Sequence, residues 1–445
     1  MNAPPMRPRM SRIAAAASVL LILAIAGAAA ASEAQAEPVL FRDIRVLTVT
    51  DGVRDPADVL LRGETIAAVA AGGTLDTAGV RVIPGRGLTL LPGLIDAKTH
   101  IGLAEVWQVS ASVDIDETTI PSTPHLQVVD ALHPGSAVIP VTRAGGVTTV
   151  LVAPGEANVF SGQSAVVHLT GGSLARMLIR SPAAVHATLG EKPKATYGPR
   201  HKMPMSRMGL AALFRERLAA ARDDMQRRRR FREEEARWVQ DPQGKAPSPP
   251  ERNLELEALA SVLRGEMPLV VAAHRAGDIE LALRLAGEFS FRLILDHATE
   301  GWKLADEIAR RGVPVLVGPV TVQPSTMQTL GARYDNAAIL HAAGAVIAIQ
   351  TGGTHNARNL PFEAGLAVAH GLPWESALRA VTLNPARIFG LDDRLGSVEE
   401  GKEATLVAVE GRDPFQPRDR IRHVFIRGRE YPPQSYQTAP LDPIR

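Results

Sequence analysis

Three apolar runs in this chain end in residues that bind metals or move protons. The run from Leu90 to Ile95 leads into Asp96-Ala97-Lys98-Thr99-His100, so polar side chains recur at alternate positions. In an extended strand residues i, i+2 and i+4 share a face, so Asp96, Lys98 and His100 are expected to point the same way. The run Leu269 to Ala273 ends in His274, and Leu293 to Leu295 ends in Asp296-His297. A lone histidine at a strand end is usually structural. Three on three separate buried strands converge on one space, and neutral imidazole is the commonest biological metal ligand. Such a convergence is the arrangement that could hold a divalent metal ion.

The remaining histidines read differently. His125 and His133 flank loops after the first of these runs, where they can line the mouth of a site. His168, His186, His201, His341, His370 and His423 have no converging partners in the sequence and read as structural. The loop Pro154-Gly155-Glu156-Ala157-Asn158, continuing through Ser161-Gly162-Gln163-Ser164, is glycine-rich but matches no phosphate cradle, so it is expected to shape the mouth.

The elements that must position these residues follow from periodicity. From Val39 to about Leu90, short β-branched runs are broken by glycine, and the same texture returns from Gly396 to about Tyr431. Two such segments at opposite ends of a chain can pair into one small sheet domain. Between them, strand-like runs alternate with helical stretches, the signature of βα units: Leu90 to Ile95, Val147 to Val152, Ala165 to Leu169, Val185 to Leu189, Leu269 to Ala273, Leu293 to Leu295, Val313 to Val317 and Val346 to Ile349. Eight is the barrel number, although the third and fourth runs could equally form a hairpin. In a barrel the strand ends that carry Lys98, His274 and His297 open onto the C-terminal mouth, where active sites of this fold lie. Met208 to Trp238 reads as a long helix whose Arg227–Arg230 run lies one turn from Glu233–Glu235, a solvated face with compensating charge. Asp241 to Pro250 reads as a surface loop.

The Pro-Gly-Leu-Ile-Asp opening at 92–96, the histidines ending two later strands, Thr382-Leu383-Asn384-Pro385-Ala386 and Gly396-Ser397-Val398-Glu399-Glu400-Gly401-Lys402 together resemble the amidohydrolase superfamily, and more narrowly its imidazolonepropionase-like branch. The resemblance runs from near Val39 to near Ile426. It implies a TIM (β/α)8 barrel with a small composite β-sandwich from both chain ends, divided as 37–90, 91–390 with a helical insertion at about 208–265, and 391–445. It also implies one or two divalent metals, held by His-x-His on the first strand, a bridging Lys or Glu, two single histidines and an Asp after the last strand. Two positions depart from that pattern. Lys98 stands at the first histidine of His-x-His, leaving His100, and Gly352 stands at the aspartate. Both losses fall on one metal position. The other is expected to keep Glu191, His274 and His297 and to bind one divalent ion, zinc first, with manganese or iron also admitted by a mixed nitrogen and oxygen set. An ammonium repels a cation, so Lys98 is expected to serve as a fixed positive charge paired with Asp96 or Glu191. With the aspartate gone, His355 is the candidate for proton transfer, and His125 and Asn356 are candidates for substrate contact.

Bulk properties narrow the partners. Lys and Arg number 49 against 47 Asp and Glu, without the basic patch and interleaved aromatics of a nucleic-acid groove, so nucleic acid is not an expected partner and a small-molecule substrate is. Two readings of function remain: a hydrolase of a C–N bond in a cyclic or linear non-peptide amide, and an inert relative that binds a small molecule or partner through the same mouth. Arg7, Arg9 and Arg12 precede an apolar run from Ile13 to Ala31, followed by Ala34-Gln35-Ala36, a signal-peptide layout over 1–36. The expected location is periplasmic or secreted, with no stable membrane anchor after cleavage. With no cysteine in the chain, neither a disulfide nor a lipidated cysteine can contribute. N-terminal sequencing of the protein from a native host should find a start near Glu37, and Met1 retained in a membrane fraction would contradict cleavage.

Overall fold

The computed structural model describes residues 37–243, 245–416, 420–435 and 437; the expected export segment lies outside them. The glycine-punctuated opening forms β1 (Val39–Leu47), β2 (Val53–Arg62), β3 (Thr65–Ala71), β4 (Arg81–Pro84) and β5 (Leu88–Pro92). The next eight strands are β6 (Leu94–Thr99), β7 (Val147–Val152), β8 (Phe160–His168), β9 (Leu178–Leu189), β10 (Leu269–Ala273), β11 (Leu293–His297), β12 (Val315–Val317) and β13 (Ile347–Ile349). The chain closes with β14 (Leu406–Glu410), β15 (Ile421–Ile426) and β16 (Arg429–Tyr431). The run expected as a single strand from Leu90 to Ile95 is therefore two strands in two sheets. The chain pivots at Gly93, where a Cβ would lie 2.1 Å from Thr148 Oγ1, so only glycine permits the turn.

The first five and last three strands of the described residues lie in one eight-stranded sheet, because β14 pairs antiparallel with β5 while β1 pairs with β2, β4 and β5. The sheet is continuous and curled, so its two faces pack on a shared interior. Backbone bonds from Gly401 N to Ile66 O (2.9 Å), Ala404 N to Glu64 O (2.8 Å) and Gly428 N to Ala404 O (2.9 Å) bring its β3 and β15–β16 ends together. Phe41, Val59, Ile66, Leu406 and Phe425 fill the interior, with Phe41 and Phe425 edge to face at 5.5 Å.

The central strands form the eight-stranded sheet of a TIM-type barrel, ordered β6 to β13. One departure is that β8 runs antiparallel to both β7 and β9, which realises the hairpin alternative for the third and fourth runs. Alternation sorts the side chains. Leu269, Val271, Leu293, Leu295, Ile347 and Ile349 face the helices, whereas Val270, Ile294, Leu316 and Ala348 face the barrel interior, whose floor is closed by Ala386, Phe389, Leu391 and Leu395. At the base, His168 Nε2 lies 2.8 Å from Glu403 Oε1 and Nδ1 lies 3.1 Å from Thr149 Oγ1, tying barrel to end sheet. Burial would raise the Glu403 carboxyl, but the bond from His168 outweighs it together with those from Thr405 and Arg394, and the pKa falls to about 2.

The long helix spans Arg207–Gln240, and Arg229 pairs with Glu233 one turn on, while Arg227 and Arg228 both turn to the buried Asp224. No helix among the described residues is long and apolar enough to cross a membrane.

Closure of the barrel occurs just past the ends of β13 and β6. Gly352 N donates to Lys98 O at 3.2 Å and His100 N to Gly353 O at 3.3 Å. Asp96, fully buried, accepts from Thr351 N at 3.1 Å, Thr351 Oγ1 at 2.5 Å and Lys98 N at 3.3 Å. Burial raises its pKa to about 7 against those bonds. Asp96→Ala, which leaves the Thr351 amide without its acceptor, is expected to cost about 2–4 kcal/mol in denaturant unfolding, and Asp96→Asn less.

Candidate functional site

Strand alternation delivers some of the site directly. On β10, Val270 faces inward, and alternation carries that face through Ala272 to His274. On β11 alternation delivers Asp296, not His297, because Ile294 faces inward and Leu295 outward. His297 reaches the site because its own φ is +65° and that of Ala298 is +43°, a left-handed step that turns the chain at the strand end. Non-glycine residues seldom adopt that conformation, and they cluster where a side chain must be aimed.

The imidazoles of His274 and His297 stack with centroids 4.4 Å apart and planes inclined by 19°. His297 Nδ1 lies 2.8 Å from the Gly318 carbonyl and Nε2 lies 2.7 Å from Glu156 Oε1. Two acceptors need two donors, so in this arrangement His297 is an imidazolium. Burial alone would lower its pKa, but the carboxylates of Asp296 and Glu156 outweigh that and raise it. His274 Nδ1 is held by Thr299 Oγ1 at 2.8 Å, while its Nε2 is buried with no hydrogen-bond partner. Burial, then the neighbouring His297, push its pKa down to about 3, so it stays neutral.

Glu156 stands in the loop after β7, where Gly155 N donates to Ile115 O at 2.7 Å and Ala157 N to Asp116 Oδ1 at 3.0 Å. A Cβ on Gly155 would meet Asp116 at 2.2 Å, so the glycine lets the loop close on that side chain. Lys98, 1% exposed, sends its ammonium to Glu156 Oε1 at 2.7 Å and Asp296 Oδ2 at 2.5 Å. Burial would raise both carboxyls, yet Lys98 and His297 hold them down, Glu156 well below the usual carboxylate range. Gln350 Nε2 caps the other Asp296 oxygen at 2.5 Å, and Lys192, mostly exposed, lies 3.1 Å from Glu156 Oε2.

Glu156, His274 and His297 each offer one donor atom within 4.8 Å of the others. The set fits a divalent ion: a buried carboxylate, a neutral imidazole whose free nitrogen has no other partner, and an imidazole whose proton a cation would displace. The carboxylate of the group is Glu156, not Glu191. Glu191 opens the short helix Glu191–Tyr197 and donates its backbone N–H to Gln328 Oε1 at 3.3 Å; from that segment it is Lys192 that reaches the site. Lys98 likewise pairs with Glu156 and Asp296 rather than with the Asp96 side chain or Glu191. His100 is buried beside the cluster with Nδ1 2.8 Å from Ala153 O, and burial, then Lys98, lower its pKa to about 4. His355 and Asn356 are exposed in the short helix His355–Asn359 after β13. His125 lies, half-buried, in the loop alongside β8, with Nδ1 unpartnered. At Gly352, φ +61°, a Cβ would lie 3.7 Å from His297 Cε1, so the position faces the site while contributing no side chain.

The family model for the amidohydrolase family matches residues 89–431, and the chain belongs to that family. It is 26% identical over 358 residues to the amidohydrolase tasK of Hapsidospora irregularis, a match covering 77% of this chain and 36% of that protein. It is 38% identical over 95 residues to an imidazolonepropionase of Syntrophobacter fumaroxidans, covering 20% of this chain and 22% of that one. The chain thus spans about a third of the length of the first relative and less of the second. The crystal structure of an amidohydrolase from Thermotoga maritima superposes with a TM-score of 0.79 at 31% identity, covering 88% of this chain and 99% of that one.

Zinc titration of the metal-free protein should separate the two carboxylates. His274→Ala, His297→Ala and Glu156→Gln should each weaken zinc binding by more than the ten- to hundredfold typical of an outer-shell partner, while Glu191→Gln should bind as the unaltered chain does.

Proposed function

We propose that the chain hydrolyses a carbon–nitrogen bond in a small non-peptide or cyclic amide, using one divalent ion held by Glu156, His274 and His297. The observation that carries this reading is the buried Nε2 of His274, left without a partner beside the acidic Glu156 and the stacked His297. Such an ion supplies Lewis acidity to a carbonyl and to water.

The chain's own residues do the positioning. Thr299 orients His274 and the Gly318 carbonyl orients His297, each through Nδ1, leaving both Nε2 atoms toward the centre. Lys98 keeps Glu156 ionised and fixes one of its oxygens. Gly352 offers no carboxylate, and proton transfer falls to His355, unburied on the rim. His125 and Asn356 are the candidate substrate contacts. Zinc suits the two imidazoles and one carboxylate, and manganese and iron are the alternatives. Similarity to an imidazolonepropionase supports a small cyclic substrate. The Arg7 to Ala36 pattern supports export to the periplasm or beyond.

Purified chain loaded with zinc, manganese or iron and presented with a panel of cyclic and linear amides should turn over at least one of them, lose that activity to a chelator and regain it with the ion. His355→Ala should lower kcat by about 10²–10⁴ with zinc content unchanged. The absent side chain at Gly352 favours a second reading, an inert binder. Ion-loaded protein that binds panel compounds without turnover would select it.

A further inference from the structure

The segment 318–335, between β12 and the helix Asn336–Ala342, does not stay above its own strand. Its tip reaches the turn after β9, where Gln328 Oε1 accepts from Glu191 N at 3.3 Å and where a Cβ on Gly190 would lie 3.4 Å from the same oxygen. Strands β9 to β12 are neighbours in that order, so the segment passes the two strand ends between them, which carry His274 and His297. On the way Gly331 O accepts from Trp302 Nε1 at 3.0 Å, in the turn after β11. Near its base Glu363 holds it twice, accepting from Thr321 N at 3.0 Å and Thr321 Oγ1 at 2.5 Å. Between these ties the crown is self-contained. Its backbone bonds run from Val322 N to Pro319 O, Ser325 N to Gln323 O and Thr329 N to Thr326 O, all within the segment. Gln328 and Thr329 are tucked in, whereas Met327 and Leu330 beside them are 61% and 58% exposed. Among the described residues, the bond at Gln328 is the one hydrogen bond that ties the crown to the far side of the mouth. A crown with few outside bonds and exposed apolar side chains is the kind of unit that opens locally.

The underside of the segment meets the proposed centre. Val320, Val322, Ala332 and Tyr334 close a cavity of about 20 Å³ against His297 and Thr299. That space holds a single water-sized group, whereas a site for a whole small molecule takes about 300–1,000 Å³. We propose that segment 318–335 is a strap that sets the size of the substrate. Seated as it is here, it leaves room beside His297 for a water- or methyl-sized substituent; a bulkier amide enters only when the Gln328–Glu191 bond breaks and the crown lifts. A segment that must open before binding lowers the apparent affinity by the fraction of time it is open, so the strength of that one bond becomes selectivity. Small substituents escape the factor because they fit beneath. The inference rests on the proposed centre for its substrate, but the strap can be read without it.

Acetohydroxamate and benzohydroxamate carry the same zinc-binding group on a methyl and a phenyl, and serve as calorimetric probes of the zinc-loaded chain. Hydrogen exchange of residues 190–192 and 322–332, read by mass spectrometry, reports the strap directly. Gln328→Ala should speed exchange in both segments by about two- to tenfold, the worth of one neutral hydrogen bond, and tighten benzohydroxamate by the same factor while acetohydroxamate is unchanged. Gln323→Ala, which alters another exposed residue of the same segment, should match the unaltered chain in all three readouts. Both probes tightening alike, or benzohydroxamate unmoved while exchange rises, would overturn the inference and leave the centre standing. Unchanged exchange in Gln328→Ala overturns it as well. If the unaltered chain takes up no zinc, the proposed centre fails; the strap then stands on exchange rising in both segments of Gln328→Ala, and falls otherwise.

Discussion

The centre of this molecule is organised by one ammonium group. Lys98 is buried as deeply as the large apolar side chains around it, and burial of a charge is tolerable only when it is paired and hydrogen-bonded. Its two carboxylate partners satisfy that requirement and are in turn kept ionised by it. The consequence is geometric. Strand β6, the loop after β7 and strand β11 are joined at a single atom, and the remaining groups of the site are placed relative to that junction. His297 meets Glu156 at the same oxygen that Lys98 holds, and Gln350 meets Asp296 at the oxygen that Lys98 leaves free. A pair of this kind contributes little net stability over a well-packed apolar substitute, but removing one partner is expensive, typically about 3–5 kcal/mol. Its contribution is therefore to specify an arrangement more than to stabilise the fold.

The barrel accommodates that arrangement by local departures from regularity. Register shifts in β6 at Leu94/Ile95 and Asp96/Thr99 break simple alternation, and between them Asp96 turns to Thr351 across the seam while Lys98 turns to the centre. The left-handed step at His297 aims an imidazole that regular β structure would send toward the helices. Gly155 and Gly352 leave room where a side chain would crowd Asp116 or face His297. Each irregularity costs local stability and is held by its surroundings, the usual position for backbone strain near chemistry. The curled sheet built from both chain ends braces the opposite end of the barrel through His168 and Glu403, away from the mouth.

The mouth itself is built from long segments after the strands. The stretch following β6 supplies Asp116, which buttresses the Glu156 loop, and Ile120, whose carbonyl accepts from Tyr197 Oη at 2.7 Å. The same Tyr197 Oη lies 2.5 Å from Asn158 Oδ1, so its one O–H is shared between the Ile120 carbonyl and the loop that carries Glu156. Apolar side chains remain exposed on these segments, Trp107, Ile120 and Met205 among them. The centre therefore combines a rigid polar interior with a rim of adaptable contacts, a division common to ligand sites on this fold.

Much of this was legible in the amino-acid sequence. Alternating runs gave the strand count and the barrel, the strand-end histidines gave His274 and His297, and Lys98 and Gly352 stood out as departures from the expected pattern. These are local properties, set by periodicity and by which residue stands at a strand end. What the sequence could not assign were partners. Glu156 and Glu191 are both carboxylates in glycine-bearing segments after a strand, and only the closure of the loop on Asp116 puts the first beside the histidines. Asp296 declares its role only through register, since the inward face of a strand is fixed by its neighbours. His297 reaches the site through one backbone dihedral that no residue pattern announces. The sequence determined which side chains were available at the mouth; the tertiary structure decided which of them share an atom, because burial and charge compensation act between elements far apart in the chain.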